Sequence, residues 1–212
     1  MQRLLLVAAL LGIPADVGAE AAVPMPGPAV VVRFYKAAIQ AEEFGAARRL
    51  AAGILDAAGV TVSWSGCGSD TGSIAPGCQR PPGPNEVIIH IVTAMDANAR
   101  AHQQSLGFSM IDRGTATGTV ANVYADRIAA LAGGAGADRV SVLGRAIAHE
   151  IGHLMMGSSR HSASGLMRAV WSHQELRRNA PLDWQFSDED AQTMRRLIEA
   201  RRLAHRVYAS PL

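Results

Sequence analysis

Residues 149–153 read His-Glu-Ile-Gly-His and sit inside a stretch, 138–156, whose apolar residues Val140, Leu143, Ile147, Ile151, Leu154 and Met155 recur at helical spacing. The periodicity predicts an amphipathic helix, and Gly157 stands where a helix C-terminal glycine would. Residues four apart on a helix share one face, so the imidazoles of His149 and His153 are set to converge on one metal ion. Any fold for this chain must bury the apolar stripe of this helix and still present the two histidines together.

Two ligands alone hold zinc poorly; a catalytic zinc takes three protein ligands and keeps an open position for water. His161 is the next candidate downstream. Glycine at 157 lets the backbone leave the helix in a left-handed conformation and fold back, which would bring His161 to the same metal from a loop. Glu150 neighbours His149 but is expected to point along the helix towards a water beside the metal rather than at the metal. That is the placement of a general base, which takes a proton from the attacking water and returns it to the leaving amine.

Residues 30–35 (VVVRFY) read as a strand and 37–58 as an amphipathic helix closed by Gly59. Residues 60–64 (VTVSW) and 86–92 (EVIIHIV) read as two further strands, which makes a strand-helix-strand start. Residues 95–118 are turn-rich, with Gly107, Gly114 and Gly118, and 119–124 is expected to form an edge strand. A short helix over 125–132 is expected to break at Gly133-Gly134-Ala135-Gly136, read as a flexible rim. After the histidine helix come a Ser/Gly-rich turn (158–165), an apolar knot (166–171) and a short helix (172–178). A final helix starts at Ser187, paired with Asp190 in a capping box, and runs to about residue 207. Together these predict one α/β (α+β) domain over 30–212: a small twisted mixed sheet, a backing helix, the histidine helix beneath and a largely helical C-terminal part.

Residues 1–19 carry a positive start, an apolar stretch from Leu4 to Ile13 and the small-residue end Val17-Gly18-Ala19, the pattern of a secretory signal peptide. Residues 20–29, which include VPMPGP, read as an extended tail that leaves no room for a globular prodomain and holds no cysteine to block a metal. Export places the chain outside the cell or in the periplasm, where the two cysteines, Cys67 and Cys78, pair by default. A loop this short contributes on the order of 2–3 kcal/mol through the unfolded state. A net charge of +2 excludes the basic surface that nucleic acids require, and no apolar run approaches the ~18 residues of a membrane span. His90, His102, His173 and His205 lack ligand spacing among themselves and read as structural or surface residues.

The run 149–167, HEIGHLMMGSSRHSASGLM, resembles the metzincin clan of zinc endopeptidases, in which H-E-x-x-H precedes a glycine, a third histidine and a methionine turn beneath the metal. It is most similar to secreted bacterial zinc proteases predicted from sequence, and the resemblance extends over most of residues 30–200, including NVYADRI and GLMRAVW. It implies a metzincin-like fold, one catalytic Zn2+ on His149, His153 and His161, Glu150 as general base, and Met167 as the methionine-turn residue forming an apolar floor. It further implies a peptide or protein substrate paired to an edge strand, for which 118–124 is the candidate, with Arg168 and Trp171 beside the primed-side pocket. No other cofactor is expected, and the protein is expected to be a monomer. The chain departs from the pattern in one respect: Gly157 is four and His161 eight residues after His153, where the clan has three and six. The departure leaves His173, Glu175 and Asp183 open as alternative third ligands. Tyr124 is the one nearby candidate for an additional tyrosine donor. Two alternatives share the residues: a secreted binding protein of the same fold that keeps the metal without turnover, and a zinc amidase acting on cell-wall peptides.

Overall fold

A computed structural model describes residues 28–36, 39–68, 74–95 and 105–209. The expected signal peptide, most of the tail and His102 lie outside the described residues. Strands β1 (Ala29–Lys36), β2 (Thr61–Gly66), β3 (Glu86–Val92), β4 (Gly107–Asp112) and β5 (Thr117–Tyr124) form one mixed sheet in the order β2-β1-β3-β5-β4. All neighbours are parallel except β4 and β5, which form an antiparallel hairpin. The α/β class is therefore as the sequence predicts.

Helices α1 (Ala41–Ala57) and α3 (Arg139–Met156) pack together on one face of the sheet. The strand pattern shows why: Val87, Ile89 and Ile91 of β3 are fully buried while the intervening Ile88 and His90 are half-buried, so the helices cover one face of the pleat. Phe44, Ala47, Ala51 and Leu55 of α1 and Leu143, Ile147, Ile151 and Leu154 of α3 complete that core. α2 (Ala125–Ala135) and α5 (Asp188–Ala209) pack against α3, and α4 (His173–Arg178) packs against α2. From α5, Arg195 donates to the Ala58 carbonyl at the end of α1, and Arg201 donates to the Leu154 carbonyl in the last turn of α3. Both guanidiniums thus sit at the negative end of a helix dipole.

Three expectations need correction. Residues 107–112, read as turns, form β4, and β5 lies inside the sheet rather than at its edge. β4 escaped notice because its alternation is inverted: the small residues Gly107 and Ser109 face inward and are buried, while Phe108 and Met110 face outward and are exposed. The peptide-binding edge expected at 118–124 is therefore covered by β4, which is the terminal strand. Gly133 and Gly134 continue α2 to Ala135, and Gly136, at φ 63°, is the left-handed cap, so the expected rim is ordered helix. At the start of α5, Ser187 Oγ accepts from the Asp190 N–H at 3.1 Å as expected of a cap, but the Asp190 carboxylate accepts from the Ser187 and Ser162 hydroxyls.

Cys67 and Cys78 form the expected disulfide. The segment after it is tied to β1 by Arg33, a buried cation that donates to the Arg80 carbonyl and pairs with Glu86, which also binds Arg80.

Gly157 caps α3 at φ 59°, and a Cβ there would lie 1.7 Å from the Ala116 carbonyl oxygen in the β4–β5 turn. Gly157→Ala therefore meets both left-handed strain and a backbone clash. It is expected to cost on the order of 3–4 kcal/mol, read as a lower urea midpoint with an unchanged m-value. A stability within about 0.5 kcal/mol of the parent would show that the α3 exit is not held against the hairpin.

Candidate metal centre

Helix α3 delivers His149 and His153 from successive turns of one face, with ring centroids 4.6 Å apart. Main chain fixes both rings from behind: His149 Nδ1 lies 3.0 Å from the Leu166 carbonyl and His153 Nδ1 2.7 Å from the Ser158 carbonyl. A carbonyl only accepts, so both Nδ1 atoms carry the hydrogen and both Nε2 atoms present lone pairs. The two Nε2 atoms face each other at 3.0 Å. Bare lone pairs at that separation repel unless a cation lies between them. A tetrahedral ion with bonds of about 2.0–2.1 Å would hold two nitrogens roughly 3.3 Å apart, close to what is seen.

After the Gly157 turn the chain folds back and brings the exposed His161 ring to 4.9 Å from that of His153 and 5.4 Å from that of His149. One donor atom from each of the three histidines lies within 4.8 Å of the other two. This donor set fits a zinc-like ion. The longer loop is absorbed by anchoring: the Ser162 N–H donates to the Met167 carbonyl at 2.9 Å, and the Ser162 hydroxyl donates to the Asp190 carboxylate at 2.9 Å. Neither anchor is legible in the sequence, where Asp190 reads only as a helix cap.

The alternative third ligands are engaged elsewhere. His173 is the exposed first residue of α4, Glu175 accepts from Ser172 and pairs with Arg168, and Asp183 pairs with Arg178. Met167 is fully buried under α3, where a Cβ on Gly152 would lie 2.9 Å from its sulfur. Trp171 stands edge-on to His149 at 5.8 Å and to Trp184 at 5.3 Å, while Arg168 turns to Glu175 and the face of Trp184. Tyr124 is buried at the start of α2, with Arg127 over its ring, and burial, with the Glu150 carboxylate within electrostatic reach, raises its hydroxyl above the usual tyrosine range.

Burial pushes His149 down to about 3, with the nearby His153 and His161 adding to the shift against the Leu166 hydrogen bond. Burial likewise lowers His153 to about 4, and partial burial lowers His161. The rings are thus neutral at ordinary pH, the form that binds metal. Glu150 is fully buried with its carboxylate on β4, where the Ser109 hydroxyl donates to Oε2 at 2.6 Å. Burial raises it to about 7, and the Ser109 hydrogen bond pulls the other way.

These shifts set the pH dependence of the metal-free protein. His149 and His153 stay neutral in the fold down to about 3 and about 4 but protonate near 6.5 when unfolded, so acidification below 6.5 favours the unfolded chain. Glu150 acts oppositely: neutral in the fold up to about 7 and ionised when unfolded above 4.5, it loses its contribution as pH rises across that window. Two groups outweigh one. The urea midpoint of the chelated protein is expected to rise from about pH 4 to about pH 6.5 and gain nothing further at about pH 7.5. A midpoint that falls over the lower range would show that the histidines are not buried in the neutral form.

No protein-family model matches the chain, and no curated protein matches it. Among solved structures the chain is similar to archaemetzincin from Methanopyrus kandleri, at 13% identity, covering 84% of this chain and 99% of that one, with a TM-score of 0.47.

Proposed function

We propose that the chain is a zinc-dependent metallopeptidase that hydrolyses peptide bonds in an exported setting. The observation that carries the reading is the convergence of three neutral histidine nitrogens within 4.8 Å, two of them from a helix that carries Glu150 between them. His149, His153 and His161 would hold the ion, and Met167 would floor them. When bound, zinc supplies a Lewis acid that polarises a carbonyl and eases ionisation of water. The Glu150 carboxylate takes the proton of the attacking water and delivers it to the departing amine nitrogen. The buried position of that carboxylate keeps bulk water away from the proton it carries. Among the described strands β4 is the terminal one, so an extended peptide would pair beside it, alongside the residues that touch Glu150.

Export is supported by the Cys67–Cys78 disulfide, which belongs in an oxidising compartment, together with the signal-peptide pattern of residues 1–19. No helix among the described residues is long and apolar enough to cross a membrane. The test is zinc content measured beside cleavage of an unstructured protein by the full chain. Stoichiometric zinc with cleavage that a chelator stops and added zinc restores is the expected result. Stoichiometric zinc without cleavage of any peptide would overturn the peptidase reading, and absence of zinc would overturn the site.

A further inference from the structure

The general base assigned above does not stand alone: two residues of β4 shape its surroundings. Ser109 is buried, and its hydroxyl lies 2.6 Å from Glu150 Oε2 and 3.1 Å from the Glu150 carbonyl oxygen. Two residues earlier on the same inward face, a Cβ on Gly107 would fall 2.6 Å from Glu150 Oε1 and 2.8 Å from the Asn122 carbonyl oxygen. One residue therefore grips one carboxylate oxygen while the other leaves just enough room for the second. We infer that Ser109 is a positioning residue that fixes the Glu150 carboxylate for proton transfer, with Gly107 as the gap that admits it.

The physical case is one of alternatives. A buried carboxylate with no donor is costly, and it would rotate about its side-chain torsions to find one. The Ser109 hydroxyl removes that freedom from the β4 side, because β4 is itself held by its ladder with β5. The hydroxyl also has two acceptors in reach. When the carboxylate takes a proton during turnover, the Ser109 hydrogen can turn to the Glu150 carbonyl, so no buried group is left unpaired on either side of the transfer. An alanine here would leave the ligand set intact and free the base.

The inference rests on the metallopeptidase reading, and its test keeps the two apart. The full-length zinc-loaded chain is compared with Ser109→Ala and Ser109→Thr by zinc content, steady-state peptide hydrolysis and carbon-13 spectra of protein labelled at glutamate Cδ. Glu150→Gln identifies the Glu150 signal. Ser109→Ala is expected to retain full zinc, hold KM within about twofold, lower kcat by roughly ten- to a hundredfold and shift the Glu150 signal. Ser109→Thr, which restores a hydroxyl, is expected to recover kcat to within a few-fold and the parental shift. An unchanged kcat in Ser109→Ala, or the same loss in Ser109→Thr as in Ser109→Ala, would overturn the positioning role. If the parent cleaves no peptide, the peptidase reading falls. The carbon-13 signal then decides the Ser109 contact: unmoved in Ser109→Ala, it overturns the inference.

Discussion

Glu150→Gln is expected to retain zinc at the level of the parent and to lose peptide hydrolysis by about a thousandfold, within the 10²–10⁴ range of a positioned general base. The substitution is close to isosteric, and its amide oxygen can still accept from the Ser109 hydroxyl, so the buried pocket on β4 stays filled and paired. What it removes is the ability to take a proton. The loss should therefore fall on kcat, with KM little changed. Continuous assay of a quenched peptide together with metal analysis checks both halves. Activity within about tenfold of the parent would remove Glu150 from the proton-transfer role and shift the search for a base elsewhere.

His161→Ala is expected to weaken zinc binding by more than about a hundredfold, since deleting a ligand must cost at least what disturbing the partner of one does. Activity should vanish with the metal. The His149–His153 pair is held by main-chain carbonyls independently of His161, so the folded chain is expected to survive with a two-nitrogen site. Competition with a coloured chelator reads the affinity, and circular dichroism checks the fold. Undiminished affinity would mean that the displaced spacing after Gly157 takes His161 away from the metal. The positions of Glu175 and Asp183, already paired with cations, would then need a rearranged α4 region to supply a replacement.

The histidine helix was legible because it declares itself locally: a four-residue histidine spacing, a continuous apolar stripe and a terminal glycine all concern residues within one element. β1, α1, β2 and β3 were legible for the same reason. β4 was not, and the cause is chemical. Its inward face abuts a buried carboxylate, so the residues that face inward are Gly107 and Ser109, and the apolar Phe108 and Met110 face out. Pattern reading assumes that inward means apolar. The strand that fails that assumption is the one that touches Glu150. Without β4 the sheet edge falls in the wrong place, because β5 looks terminal only when its hairpin partner is left out. The two glycines in α2 misled differently: packing of Ala132 and Ala135 against the core outweighs their weak helix propensity. The anchoring of the His161 loop by Asp190 joins residues 28 apart, which no local pattern reports.

Helix α5 reaches three places at once: its first turn holds the loop that follows His161, and its arginines close the ends of α1 and α3 across separations of 137 and 47 residues. The histidine pair, by contrast, takes its spacing from one helix and its ring orientation from carbonyls at most 17 residues away. The two halves of the centre thus draw on contacts of different range, and the long-range ones form only once distant segments have found each other. A chain still unfolded carries all three histidines and yet no site.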